Sequence, residues 1–574
     1  MIILIILFII FITVITGRLL LHNSTFGSFN KTLSIKFSIS YFIGSSFYII
    51  TLTSYFFIFK NLELSNLFTI LSALLLFFKR RKELLKIFFE NFNLNYKIIF
   101  YNILIFVFLS IFIFSVWAIP YENLDNKLLS IGSLHSAKYA WLANYIQTCS
   151  IIPVTGNNFG QSILAYFIGL FFSAKPHLYL YIWLVISMYF LILFIYGFIN
   201  FYFGAGEGKK NIQIYCVLGT VCFLFGGTAL SFTHILVIDS NNPFIINGYT
   251  HTIFGIFFIF FGYILFIKIK EGKNLNLQNI FIIFIFLGAN YFMSPENIIF
   301  FAGLLFFVFF TKSIMRNQKI KLTILLIISI IYFIPQGGML TPIKLQENFS
   351  NEAILSFFQD RGSNQYGKLN LHIVPGYMFQ YDGLSYKNWK NGQEENTKKI
   401  QYLKEKIKKD FFSNFNILLW QLEKILIDSF VVLFFPIAGL YLFRQSFYIN
   451  SKNQREKFID RIKRQYFFFY SVFALLFGIS FNLIYQVNSY KWEFTRFMVP
   501  FIALGLLQFY ISIWKLYAKN LIVFFVLISF ILCGPILSQL IRSKENLQNL
   551  DTNKLNLFFS NHPKINPESC YYRK

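Results

Sequence analysis

Residues 120–161 read PYENLDNKLLSIGSLHSAKYAWLANYIQTCSIIPVTGNNFGQ, the longest polar interruption in the first third of a chain that is otherwise almost continuously apolar. Glu122, Asp125, His135, Lys138, Asn157, Asn158 and Gln161 all fall in it. On either side the apolar runs extend over roughly 17–25 residues, the length a helix needs to cross the hydrocarbon layer of a bilayer. Lipid offers no partners to backbone N–H and C=O groups, so such runs must close their hydrogen bonds internally. The fold read from this pattern is all-α, a polytopic integral membrane protein. A soluble domain is excluded, and so is a β-barrel, whose strands would alternate in polarity over about ten residues.

Composition agrees: of 574 residues 56% are hydrophobic, 21% aromatic and only 13% charged. The formal net charge of +26 does not point to nucleic acid, because the Lys and Arg residues stand in short clusters between apolar runs. That placement is what the positive-inside rule expects of cytoplasmic loops. The abundance of Phe, Ile, Lys and Asn also matches AT-rich coding bias, so part of the aromatic excess carries no functional message. Five cysteines show no CxxC or metal-ligand spacing, and we read them as free thiols, a Cys149–Cys570 disulfide being disfavoured.

The opening MIILIILFIIFITVIT has no basic residue before it and no small-residue cleavage site after it, which suits a membrane helix rather than a secretory signal. Arg18, His22, Lys31 and Lys36 follow, placing 17–36 in the cytoplasm. Spans at 37–59 and 62–78 form a hairpin, and Lys79-Arg80-Arg81-Lys82 returns the chain to the cytoplasm. The next span, 98–119, ends at Trp117 and Pro120, so the stretch from Glu122 to Gln161 is outside. Within it, 128–148 reads as an amphipathic helix lying on the membrane.

The segments 160–174 and 177–203 look like two crossings, yet two crossings would turn the basic loops at 268–273, 312–321, 444–464 and 515–519 outward. We therefore expect 160–174 to be re-entrant or interfacial. Further spans follow at 212–232, 250–268, 277–293, 297–311, 320–336, 422–443, 466–487, 496–514 and 520–540, for about fourteen crossings in all, with a second outer loop of roughly 80 residues. The chain thus divides into N-terminal helices (1–97), a core (98–336) carrying the outer loop 120–161, an extracytoplasmic loop or cap (337–420), C-terminal helices (421–540) and a polar tail (541–574). No internal repeat is visible.

Chemistry is expected from ionisable residues at the outer face. Glu122 and Asp125 are spaced i, i+3, so on a helical turn both carboxylates would face one way, a geometry suited to a divalent cation such as Mg or Mn or to divided acid/base roles. The competing reading is a solvated loop. His135 and Lys138 share the same spacing and suit a phosphate or a snorkelling surface pair. Asp239, the lone acid of the next outer loop, is a possible second acid, and Arg496 at the mouth of a span is placed to bind a lipid phosphate or simply to anchor.

The pieces Glu122, Asp125, His135, Pro153 and Asn157-Asn158-Phe159-Gly160-Gln161, set in an outer loop after an early membrane helix, resemble the GT-C superfamily of polytopic glycosyltransferases. The likeness covers 98–310 in architecture and the outer loop in motif. It implies transfer of a sugar from a polyprenyl-phosphate carrier to an envelope acceptor at the outer face, with the bilayer and the lipid-linked sugar as partners. The implied location is a bacterial inner (cytoplasmic) membrane. Asp125 or Glu122 would be the general base or metal partner, His135 a catalytic neighbour, and Lys138 and Arg496 the phosphate-binding cations. The chain departs from the pattern in lacking an Asp-x-Asp or Asp-Asp pair, which leaves the metal open. Two other classes suit the architecture. An envelope polysaccharide polymerase or ligase would use the long outer loop with Arg361 and His372; a transporter or lipid flippase would need charge or broken helices at mid-membrane, and the spans are nearly charge-free.

Overall fold

A computed structural model describes residues 2–22, 24, 33–83, 118–121, 127–130, 160–172, 176–203, 250–270, 276–293, 316–336, 433–446, 458–484 and 493–517, with parts of 100–110, 143–152 and 216–223. The long elements are α1 (Ile2–Leu21), α2 (Leu33–Phe59), α3 (Leu62–Lys79), α4 (Gly160–Gly169), α5 (Pro176–Phe203), α6 (Thr250–Lys270), α7 (Leu277–Met293), α8 (Arg316–Phe333, with a 3-10 turn Ile334–Gln336), α9 (433–446), α10 (Phe458–Ile484) and α11 (Glu493–Tyr517). Two short strands, β1 (Ala118–Tyr121) and β2 (Lys127–Ser130), pair antiparallel. Among the described residues five helices are long and apolar enough to cross a membrane: Ile3–Leu21, Ser34–Phe59, Leu62–Lys79, Ile182–Phe203 and Asn317–Gln336. This is a helical membrane protein.

Local chemistry sets the helix ends. Lys60 sits in the left-handed region at φ 53° and its N–H reaches Phe56 O at 2.9 Å, closing α2. Asn61 then opens α3, its Oδ1 accepting from Leu64 N at 3.0 Å. Those two residues alone turn the chain through the α2–α3 hairpin.

α1 and α2 cross with their backbones in contact. A Cβ on Gly17 would collide with the Ser40 carbonyl, and one on Gly44 with the Thr13 carbonyl, so Thr13-x-x-x-Gly17 lies against Ser40-x-x-x-Gly44. Small residues four apart let two backbones touch, and in lipid this van der Waals contact replaces the missing hydrophobic drive. Hydroxyls complete the seam: Thr16 Oγ1 and Tyr48 OH are 2.9 Å apart, and Tyr41 OH and Ser187 Oγ join α2 to α5 at 2.7 Å. A second close crossing brings Gly439 of α9 against Gly505 of α11.

Side-chain contacts give the helix directions. Gly197 near the end of α5 meets Ser34 and Ile35 at the start of α2, so α5 runs antiparallel to α2. Trp183 stands by Phe254 and Tyr202 by Tyr263, making α6 parallel to α5. Gln278 at the start of α7 donates to Leu20 O at the end of α1 while Met293 at its end meets Gly160, so α7 runs opposite to α6, and Phe333 at the end of α8 packs on Phe284 and Phe292, so α8 runs with α7. Tyr470 OH donates to Ile259 O at 3.0 Å while Tyr466 reaches Phe266, setting α10 against α6. Gln508 Nε2 donates to Ser471 Oγ at 2.7 Å in the α10–α11 hairpin.

These directions collect the basic helix ends at one end of the bundle. Arg18 ends α1, Lys79–Lys82 end α3, Lys268 and Lys270 end α6, Arg316 and Lys319 begin α8, Arg464 lies in the first turns of α10 and Lys515 ends α11. Two polar side chains tie this end together across sequence. Arg80 Nη1 donates to Leu19 O, and Gln278 Nε2 donates to Leu20 O, satisfying carbonyls that the last turn of α1 leaves open. Because α5 ends here too, the 160–203 region makes one net passage from end to end, as the basic loops demanded. Cysteines introduced at exposed Lys82 and Asn276 are therefore expected to react with a membrane-impermeant maleimide from one side of sealed vesicles, and one at exposed Asn61 from the other. Equal labelling of Lys82→Cys and Asn61→Cys from one side would contradict these directions.

Several boundaries differ from the sequence reading. Residues 118–121 are strand β1 rather than the last turn of a span, because Pro120, which has no N–H to give, is paired opposite Leu128 in an extended register. Leu128 to Ser130 likewise lie in β2 rather than in the expected amphipathic helix; residues 131–142 lie outside the described residues, and helix is described at 143 and 145–149. The segment expected at 160–174 is a ten-residue helix, ~15 Å long, against roughly 30 Å of hydrocarbon, and Gly160 to Ile168 are all buried. It is buried by protein rather than laid on the outside of the bundle. The spans expected at 297–311 and 520–540 and most of 212–232 lie outside the described residues, as does the loop 337–420.

Candidate functional site

Opposite the basic end, the bundle closes around α4. Gly160 starts against the Met293 side chain and the Phe292 carbonyl at the end of α7, where a Cβ would require Met293 to move. Phe167 stacks on Tyr48 of α2 at 5.0 Å, and Tyr166 OH receives a hydrogen bond from Asn66 Nδ2 of α3 at 2.7 Å. Gly169 lies beside Tyr179 of α5, whose hydroxyl donates to Phe172 O at 2.9 Å. Gln161 and Ser162 are buried within this packing. α4 therefore wedges between α2, α3, α5 and α7.

The same end holds uncharged polar groups that use only part of their capacity. Asn290 donates to Phe286 O at 2.8 Å and Gln336 to Tyr332 O at 3.0 Å, each bonding back along its own helix. Among the described residues the opposite amide oxygens, Asn290 Oδ1 and Gln336 Oε1, have no hydrogen-bond partner, nor has Asn66 Oδ1. Sequence reasoning passed over these residues because they are uncharged. The available signal was a carboxamide inside an apolar run, since a polar group in lipid must find a partner. Lys60 at the α2–α3 turn lies 4.2 Å from the Phe57 ring centre, and partial desolvation lowers its ammonium below the ordinary lysine range. Among the described side chains the carboxylates are Glu63, exposed in the first turn of α3 at this end, and Glu83 at the basic end.

Of the residues singled out in the sequence, Glu122, Asp125, His135, Lys138 and Asp239 lie outside the described residues. What is described is the frame around the first pair. Tyr121 pairs with Lys127, so residues 122–126 connect two antiparallel strands, and β2 lies beside α5. Arg496 falls in the first turn of α11, at the end opposite the basic clusters. Among the described residues no group of three or more His, Cys, Asp or Glu comes together to hold a metal. Carboxamides and phenols orient ligands and exchange hydrogen bonds, but near neutral pH they do not take up protons, so any acid/base step needs a carboxylate or imidazole from elsewhere in the chain.

The thiols correct the sequence reading. Cys149 is buried and disulfide-bonded, with its partner outside the described residues, whereas Cys216 is a free buried thiol. Since one disulfide uses two of the five cysteines, denatured protein prepared without reductant is expected to titrate no more than three thiols, rising to five after reduction. Five thiols before reduction would remove the bond.

The fold and this end of the bundle define a multi-pass helical membrane protein whose short helix α4 is buried among the longer ones. No family model, curated protein or solved structure matches the chain.

Proposed function

We propose that the chain is a membrane glycosyltransferase that moves a sugar from a polyprenyl-phosphate carrier to an envelope acceptor, in the manner of the GT-C enzymes its outer loop resembles. The observation that supports this reading is the β1–β2 hairpin beside α5: it sets the Glu122–Asp125 connection between two paired strands instead of leaving it on a long free loop. α4, at the other end of the same loop, is buried in the bundle, so the loop is tied to the helices at both ends. In this account about fourteen spans cross a bacterial inner membrane, the α4 end faces outward, and the 337–420 loop caps it.

In the proposed step Asp125 accepts the proton of the acceptor hydroxyl as that oxygen attacks the anomeric carbon, and the bond to the carrier phosphate breaks with inversion. Glu122 or Asp239 orients the acceptor or holds a divalent cation, with His135 beside them. Lys138 and Arg496 stabilise the departing lipid phosphate. The test is transfer of labelled sugar from a polyprenyl-phosphate donor by reconstituted protein. Transfer that depends on Asp125 sustains the proposal; a pure, folded protein that transfers nothing from a panel of lipid-linked sugars removes it.

A further inference from the structure

At the basic end we propose an anionic-phospholipid site on α3, built from Lys79, Arg81 and Lys82. α3 is the least enclosed of the five candidate spans, with 22% of its apolar window buried. Its uncovered side chains, Leu64, Leu67, Leu71, Leu75 and Phe78, recur three to four residues apart and form one stripe down the helix. In a membrane protein such a stripe meets acyl chains. The stripe runs directly into Lys79, Arg81 and Lys82, all exposed, so the cations stand where headgroups lie above those chains.

Arg80 is differently employed. Its guanidinium donates to Leu19 O, fixing the end of α3 against the end of α1, while its backbone N–H reaches Leu76 O at 3.2 Å and Phe77 O at 3.3 Å and closes α3. Locking Arg80 inward leaves its three basic neighbours outward. Among the described residues none of the three has an ion-pair partner; Glu83, the nearest carboxylate in sequence, forms no ion pair with them. Three unneutralised cations at the foot of an acyl-facing stripe are complementary to one occupant, a phospholipid whose headgroup carries negative charge. The acyl stripe separates a lipid from free phosphate, which has no use for it. Attraction of a basic side chain near an anionic leaflet corresponds to about a fivefold gain in affinity per charge.

The test titrates the full-length protein, in an uncharged detergent, with phosphatidylglycerol, and reads affinity from the rise in thermal unfolding midpoint. Phosphatidylcholine and inorganic phosphate serve as controls. The triple variant Lys79→Gln, Arg81→Gln, Lys82→Gln is expected to lose on the order of 100-fold in affinity for phosphatidylglycerol, and 0.5 M salt to weaken the native protein similarly. Charge-preserving Lys79→Arg, Lys82→Arg should keep native affinity, which guards against a misfolded triple variant; Lys82→Gln alone should lose about fivefold. Equal responses to phosphatidylcholine, full affinity in the triple variant, or an equal response to inorganic phosphate would each overturn the site.

Discussion

Asp125→Asn is expected to lower sugar transfer by about 10²–10⁴-fold, the usual worth of a positioned general base, while leaving yield and unfolding temperature unchanged. Asparagine has nearly the shape of aspartate but takes no proton at neutral pH, so the substitution removes basicity and little else. Stability should not fall, because the described backbone pairs of the hairpin run from Ala118–Ser130 to Tyr121–Lys127 and the substitution leaves the backbone unchanged. The same assay on Glu122→Gln divides the roles. A comparable loss in both variants points to shared work on one proton or cation; a smaller loss in Glu122→Gln makes it the orienting acid. Unchanged transfer in Asp125→Asn removes the assignment, and loss instead at Arg361 or His372 would move the chemistry to the long outer loop and to a polymerase or ligase.

Gly44→Leu should destabilise the protein by at least about 3 kcal/mol, beyond the usual range for overpacking, and is expected to abolish accumulation of folded protein. The reason is the identity of the obstructing atoms. A Cβ at 44 would meet the Thr13 carbonyl and come within 2.9 Å of Gly17 N, both backbone, so no rotamer change relieves the clash. The helices would have to separate, and the Thr16–Tyr48 hydrogen bond on the same seam would go with them. Gly169→Ala is the control: its Cβ would touch the Tyr179 ring at 3.4 Å, an ordinary contact, and the change in stability should stay within about 1 kcal/mol. A Gly44→Leu protein that unfolds at the native temperature would show that α1 and α2 do not cross in this way.

The membrane class was legible in the sequence because lipid permits one backbone solution to a long apolar run. The α2–α3 hairpin was legible as well, since polar residues at 60 and 61 interrupt two such runs and Lys79–Lys82 closes the second. So was the single net passage across 160–203: clustered cations avoid crossing a bilayer, and the helix ends collect where they required. The hairpin at 118–130 was not legible. Pro120 and Trp117 after an apolar run carry the same signal as a span end, and pairing between Tyr121 and Lys127 depends on a partner strand that periodicity does not display. The disulfide at Cys149 was missed for a related reason, as spacing says nothing about which distant thiol the fold brings near. The far-end carboxamides were missed because attention followed charge.

By itself, then, the sequence determined what each segment could be: an apolar run must be helical, a basic cluster must stay on one side, and an apolar run of about 15 residues sits below the ~20 a spanning helix needs. Tertiary structure decided which segments touch. Gly17 reads as one small residue among many until Gly44 is found against it, and Arg80 reads as one of four equivalent cations until its guanidinium is found on the Leu19 carbonyl. Hydropathy is a property of each residue and its neighbours along the chain, whereas steric fit and hydrogen bonding belong to pairs brought together only by the fold.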